Sequence, residues 1–551
     1  MERRHEDNST RRSIWYSVRP NPRWTLAGLL FFSSLCSARA AQQASAAMDR
    51  DLLEVSIPRL EKMYASRKYT VTQVTRWYLD RIARYDGVYR AIIHVDSKGA
   101  LAAAEAEDAE AKRAGKGFKP GALWGVPMVV KSNTSVKGMV TNDGSKGYLI
   151  PGHELIAPED ARIVAKFRAA GAVIIGQTNM PDFAASDTNI SSAFGRTGNA
   201  YNWRFSPGGS SGGTVTAVAA NYAVFGSGTD TSNSIRMPSG TSAVVGLLPT
   251  RGLVSISGIH PLDWLLDNTG PIARNVTDAA IALGVMAGED PKDFRTIGTT
   301  AKAQPGPYTK YLRTGALKGK RFGVPAFIVR GSAESLRPET REMFLKAIEG
   351  LKTAGATVVF DDTILPESFA LLTRAINTNP YRREGMENFL RDFGPAEYHS
   401  IADYEKAVGL GLPAMITGAP VPQRILETDP SAGSTFRVPQ QKALAAYEEP
   451  LDRLHLDGYV YPALQMPSND ETIPQPDGGP SSGPHSNTDW VNRIGVPAIV
   501  VPGGFYANGL PFGIELSARP FKDGDLLGWG FAYEQATKHR KPPLLQAKRG
   551  Q

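Results

Sequence analysis

The chemistry-bearing residues of this chain are serines set among glycines. Residues 206–250 read SPGGSSGGTVTAVAANYAVFGSGTDTSNSIRMPSGTSAVVGLLPT, and residues 208–213 place Ser210 and Ser211 inside four glycines. Glycine takes positive φ and lets other groups come close to the backbone. A flexible linker would have this composition, but apolar, helix-compatible residues follow at once and the segment does not repeat. A phosphate cradle fails because no Gly-Lys-Ser/Thr follows. GGSSG at 208–212 satisfies G-x-S-x-G, which would make Ser210 the nucleophile of an α/β-hydrolase esterase with a later acid and histidine. The downstream histidines, His260, His399, His455, His485 and His539, sit in no recognisable motif. For each a core or surface role is the default.

Several stretches in order resemble the signature of the amidase signature family of serine hydrolases. That signature runs GGSSGG, then GTDTGGSIR-P, then G-KPT. Here the three parts stand at 208–213, 228–238 and 246–250, the last with Leu248 where Lys is usual. GVP at 125–127, leading to Lys131, matches the family's lysine strand. GQTNM at 176–180 and DFA at 182–184 match the block before the serines, and GPIAR at 270–274 with Asp278 the block after them. GVPA at 495–498 and GLPFG at 509–513 match the carboxyl-terminal block.

The resemblance implies an α/β fold: one large domain over residues 41–551, with a mixed central β-sheet covered by helices on both faces. It implies a Ser–Ser–Lys triad in which Ser234 is the nucleophile, Ser210 the bridging serine after a cis peptide bond, and Lys131 the base. The residue types suit the task. A serine hydroxyl needs a base within hydrogen-bond reach, and lysine serves only when neutral, a form that burial favours. Lys131 follows the apolar run 126–130, VPMVV, although a lysine after such a run ordinarily marks a solvent-facing strand end. Backbone N–H groups of Thr231, Ser232, Asn233 and Ser234 would form the oxyanion hole. Ser211 would support the loop, and Asp230 and Arg236 would be structural ion partners.

One departure stands out. Ser232 and Asn233 replace the family's Gly-Gly. Asn tolerates left-handed φ better than most residues; Ser232 is harder to place if its φ is positive. The implied reaction is hydrolysis of carboxylic amides other than peptide bonds, by acyl transfer to Ser234 and then to water, with esters or carbamates also in reach. No cofactor or metal is implied. The expected partner is a small-molecule amide, with no nucleic acid and no stable membrane insertion, and a homodimer is allowed. Two further readings stay open: a component of a tRNA-dependent amidotransferase, and a binding protein that kept the fold and lost activity.

Behind these motifs the pattern is mixed α/β. Thr70 is placed to cap a helix whose apolar positions Val74, Trp77, Tyr78 and Ile82 share one face. Alanine-rich residues 100–114 read as a second helix, stopped at Gly115. Short apolar runs at 126–130, 172–175, 358–360, 458–461, 498–501 and 513–516 read as buried strands. Residues 363–440 are the least patterned. Residues 467–487, PSNDETIPQPDGGPSSGPHSN, read as a long loop near the surface or over a site.

The net charge of +8 does not mark a nucleic-acid binder, because half of it lies in residues 1–40, where seven arginines face three acids. Those residues read as an export leader: an Arg-rich stretch, an apolar run at 26–36, and an A-x-A pattern at 38–40. The run is too short for a bilayer, which takes about 20 residues. The expectation is a periplasmic or extracellular protein; the alternative is a cytoplasmic one that starts at Met48. A lipoprotein at Cys36 is disfavoured by Leu35 before it, and Arg11-Arg12 hints at twin-arginine export. Cys36 is the one cysteine of 551 residues, so no internal disulfide framework or cysteine metal cluster can form.

Overall fold

The computed structural model describes residues 46–330 and 336–547. The chain divides into a unit ending at Leu53, in which residues 46–52 are helical, and the unit Glu54–Gln551, which carries the sheet and the site. The leader read over residues 1–40 lies outside the described residues. Among the described residues no helix is long and apolar enough to cross a membrane.

Helix Val71–Tyr89 begins where its capping signal stands. The Thr70 hydroxyl accepts from the Gln73 N–H at 3.1 Å, and the Gln73 side chain accepts from the Thr70 N–H at 2.9 Å. This reciprocal pair satisfies donors that a helix start leaves open. Val74, Trp77, Tyr78 and Ile82 are all buried on one face. Helix Ser97–Ala114 follows and ends at Gly115, whose φ is 58°.

In chain order the strands are β1 (Ile92–Val95), β2 (Val126–Lys131), β3 (Ala172–Thr178), the short pair β4 (Ile190–Ser191) and β5 (Gly195–Arg196), then β6 (Phe225–Asp230), β7 (Val245–Leu248), β8 (Asn268–Ala273), β9 (Arg321–Val324), β10 (Thr357–Phe360), β11 (Gly458–Pro462), β12 (Ala498–Phe505) and β13 (Pro511–Ser517). Eleven of them form one mixed sheet in the order β1-β3-β2-β6-β8-β7-β12-β13-β11-β9-β10, and β4-β5 stand apart. β3, β2 and β6 run parallel, the strands from β6 through β8, β7, β12 and β13 to β11 pair antiparallel, and β11, β9 and β10 are parallel again. Every residue of β2, β3, β6, β7, β8, β11 and β13 is buried, as expected of a sheet flanked by helices. Helices Arg236–Thr241, Val276–Met286 and Asp523–Thr537 pack on its central strands.

The six apolar runs are strands, each extended by one or more residues. The other five strands of the large sheet are not among those runs. β6 reads FGSGTD and β8 reads NTGPIA, so glycine, proline and polar ends break both alternation and apolar continuity. Residues 363–440 are more regular than their pattern suggests, holding helices Glu367–Arg374, Arg382–Phe393 and Ile401–Val408. Two of these are eight residues long, too short for a helical period to emerge. The latter two helices supply Met386, Phe389, Phe393 and Tyr404 to a cluster with Tyr148 and Tyr398.

Candidate active site

β2 and β6 are parallel neighbours, with Met128 opposite Phe225 and Val129 opposite Gly226. Their carboxyl ends therefore deliver Lys131 and Asp230 to the same edge of the sheet. The Gly-Ser loop, residues 208–213, enters helix Gly212–Ala219, which leads back into β6. Three chain segments thus converge on one point.

Lys131 is fully buried there. Its Nζ donates to Ser210 Oγ at 2.7 Å and to Thr229 Oγ1 at 2.8 Å. Burial pulls the amine from 10.5 down to about 7, against the Coulombic pull of Asp143, Asp230 and Asp267. The lysine at the end of an apolar run is thus a buried one. The peptide bond Gly209–Ser210 is cis. A Cβ at Gly209 would lie 2.2 Å from the Thr188 carbonyl oxygen and 2.5 Å from that of Ser186, so only glycine fits. The Ser211 N–H donates to the Ser234 carbonyl at 3.1 Å and its hydroxyl to the Thr229 carbonyl at 3.2 Å. Ser211 thereby ties the Gly-Ser loop to the turn that carries Ser234.

Lys131 and Ser210 are in contact; Ser234 is brought beside them through Ser211. Among the described residues the Ser234 hydroxyl has no hydrogen-bond partner, and Ser234 lines a cavity of about 540 Å³ with Asn233, Asp187, Leu262, Arg382 and Arg493. The backbone N–H groups of residues 231–234 likewise donate to no acceptor among the described residues. Neither Ser232 nor Asn233 has positive φ. The left-handed backbone considered for this pair is therefore absent, and with it the reason for Ser232 to look misplaced.

Asp230 and Arg236 lock the turn from below. Arg236 Nε lies 3.1 Å from Asp230 Oδ2 and Nη1 lies 2.7 Å from Glu515 Oε1, all three side chains fully buried. Asp230 Oδ2 also accepts from the Ile235 N–H at 2.9 Å. Burial lifts Glu515 to about 7. On the other side the Thr231 hydroxyl donates to Asp267, which burial lifts to about 6.

No histidine among the described residues bonds Ser210. His260 is buried between Asp143, 2.9 Å from Nδ1, and the Tyr148 hydroxyl, 2.7 Å from Nε2. His485 Nδ1 lies 3.0 Å from Asp187 Oδ2 at the cavity wall. The esterase arrangement of Ser210 with a histidine is thus replaced by Ser210 with a lysine. Among the described residues no group of three His, Cys, Asp or Glu side chains is placed to hold a metal ion.

The family model described as Amidase matches residues 73–527. The chain belongs to the amidase family. Its enzymes act on carbon–nitrogen bonds. The chain is 32% identical over 501 residues to a glutamyl-tRNA(Gln) amidotransferase subunit of Thermosynechococcus vestitus, covering 89% of this chain and 99% of the relative. It superposes on a native peptide amidase from Stenotrophomonas maltophilia with a TM-score of 0.74 and 29% identity, over 90% of this chain and 99% of that one. A bacterial aryl acylamidase of the amidase signature family gives a TM-score of 0.71 at 22% identity, over 88% and 96% of the chains, a likeness of fold alone.

The chain also places near its site residues that sequence reasoning passed over. Thr229 holds Lys131 and accepts from Asn133 Nδ2 at 3.0 Å. Asn492 and Glu515 reach Arg236 from distant parts of the chain, 256 and 279 residues away. Asp187, Arg382 and Arg493 line the cavity. Only Thr229, inside the quoted signature, carried a local signal.

Proposed function

We propose that this amidase hydrolyses small-molecule carboxylic amides other than peptide bonds through an acyl-enzyme on Ser234. The observation that carries the reading is the fully buried Lys131 amine, 2.7 Å from Ser210 Oγ, beside a serine that opens on a cavity. With Lys131 neutral, that contact runs the other way and Ser210 donates its proton to the amine. Ser210 is then free to accept from Ser234 as Ser234 attacks the carbonyl carbon. The proton passes from Ser234 through Ser210 to Lys131, and back to the leaving amine as the C–N bond breaks. Water then attacks the ester by the same route, releasing the acid and restoring Ser234. The N–H groups of residues 231–234 take the developing oxyanion, each donor contributing about 2.7–4 kcal/mol in the transition state.

Mass spectrometry of the protein treated with a fluorophosphonate probe tests this. The expected adduct is on Ser234; an adduct on Ser210, or none, would overturn it. Screening amides, anilides, esters and carbamates would then define the acyl and leaving groups. A second reading, a component of an amidotransferase, is favoured by relatives of that name matched over 99% of their length. Turnover of an amide by the purified chain without a partner separates the two. Export is part of the proposal: amino-terminal sequencing of the native protein should begin near Ala41, and an intact Met1 would refute it.

A further inference from the structure

Asn233 stands where the family carries glycine, and its φ makes no demand for either residue. Its side chain does what glycine cannot. Asn233 Nδ2 donates to Asp187 Oδ1 at 3.0 Å and to Ser486 Oγ at 2.9 Å. The other oxygen of Asp187 lies 3.0 Å from His485 Nδ1, and His485 Nε2 lies 2.9 Å from Ser482 Oγ. Gly483 sits directly on this aspartate: a Cβ there would fall 2.5 Å from the Asp187 carbonyl oxygen. The late part of the 467–487 loop is therefore fastened to Asp187 and, through Asn233, to the turn of residues 231–234.

The early part of the same loop is fastened to the approach of the Gly-Ser segment. The Ser206 N–H donates to the Asn469 carbonyl at 2.9 Å, the Glu471 N–H donates to the Arg204 carbonyl at 2.9 Å, and Arg204 pairs with Asp470 at 2.7 Å. Asp187 itself lies between Ser186 and Thr188, whose carbonyls press on Gly209. One loop thus bridges the segment leading to Ser210 and the turn carrying Ser234. Both oxygens of Asp187 have partners, Asn233 from the turn and His485 from the loop.

We propose that Asn233 and Asp187 are positioning residues: the Asn233 carboxamide fastens the backbone donors of residues 231–234 to Asp187 and the 467–487 loop, so that the oxyanion site keeps its shape only while the loop is seated. This rests on the reading that Ser234 is acylated. Donors aimed at an oxyanion lose their value with small displacements, and a misplacement of about 1 Å can cost on the order of a hundredfold in rate. A glycine at 233 would leave the donors in the chain but free the turn from its anchor.

The test uses the full chain with an anilide and the ester of the same acid, and separates kcat from KM. Asn233→Gly and Asp187→Ala should each lower anilide kcat about tenfold with KM changed less than about threefold, and the double variant should be no worse than either single one. Asp187→Asn keeps an acceptor for Asn233 and should recover most of what Asp187→Ala loses. All variants should unfold close to the wild-type temperature and still accept a fluorophosphonate on Ser234. A kcat within about twofold of wild type for Asn233→Gly, or additive losses that appear in KM, would overturn the proposal. Should Asn233→Gly fail to fold, equal losses in Asp187→Ala and Asp187→Asn would overturn it, and rescue by Asn would support it. A wild-type protein unlabelled at Ser234 would sink the acylation reading itself, whatever the Asn233 variants do.

Discussion

The two sides of the Ser234 cavity are built on different terms. Behind the serine, Lys131, Ser210, Asp230 and Arg236 are fully buried on two strand ends, the Gly-Ser loop and the start of helix Arg236–Thr241. In front of it, Asp187, His485, Asp489 and Arg493 reach the cavity from loops and a short helix and remain partly exposed, His485 at 40% and Asp489 at 47%. On the proposed reading, proton transfer belongs to the sheet and substrate choice to the loops. A base whose protonation state matters needs a dry, rigid setting, whereas a pocket wall can vary without disturbing it.

The largest effects should therefore fall behind the serine. Ser234→Ala should abolish both amide turnover and fluorophosphonate labelling, a loss of about 10⁴-fold or more. Ser210→Ala should cut turnover by several orders of magnitude while slow labelling of Ser234 survives, because the nucleophile remains and only its route to the base is lost. Lys131→Ala should harm anilides more than activated esters, since an amine must be protonated to leave and a good alkoxide need not be. Arg493→Ala, in front, should change the ranking of substrates through KM. A loss there as great as that from Ser234→Ala would erase the contrast.

Two arginines offer a comparison in stability. Arg236 is buried between Asp230 and Glu515, and Arg493 is paired at 2.8 Å with the exposed Asp489. Removing Arg236 leaves two buried carboxyl groups without their cation, which costs about 3–5 kcal/mol. Arg493→Ala should cost under about 1 kcal/mol, because water already screens its pair. Denaturant unfolding of both variants measures the difference, and similar values would show that the buried turn is not the structural lock described above.

The pH profile gives the next smaller effect. Burial lowers Lys131 to about 7, so the amine is neutral and competent above that value and charged below it. The kcat/KM for an anilide should be flat above about pH 7 and fall about tenfold for each unit below. An acid limb centred near the ordinary carboxylate range would point to a base other than Lys131.

How much of this was legible before the structure follows from where the signals sit. The fold class, the lysine strand and the serine segment were readable because the motifs at 125–131, 208–213 and 228–238 are local and ordered. Helix Val71–Tyr89 was readable because Thr70 is a capping residue and four apolar residues share a face. β6 was not, because FGSGTD has neither alternation nor an apolar run; it is a strand because β2 and β8 pair with it on either side. The partners of Arg236 other than Asp230, and the bridge from Asn233 to Asp187 and Ser486, were not readable either, since each joins residues far apart in the chain. The long loop at 467–487 was foreseen as a loop, but its anchoring on residues 204–206 and 187 is purely tertiary.

The smallest expected effect concerns Ser232, the other residue that replaces a family glycine. Unlike Asn233, it reaches its surroundings through the backbone: its carbonyl accepts from Arg236 Nη2. A glycine presents the same carbonyl, and because the φ of Ser232 is not positive the present conformation suits serine as well as glycine. Ser232→Gly should thus leave anilide kcat within about twofold of wild type, less than about 0.5 kcal/mol, and cost a few tenths of a kcal/mol in stability through backbone entropy. Steady-state kinetics beside Asn233→Gly gives the comparison directly. If the serine change alone reproduced the tenfold loss expected for Asn233→Gly, the hydroxyl of Ser232 would have a role in the cavity, and the division between a chemical back wall and an adaptable front wall would have to be redrawn one residue away from the nucleophile.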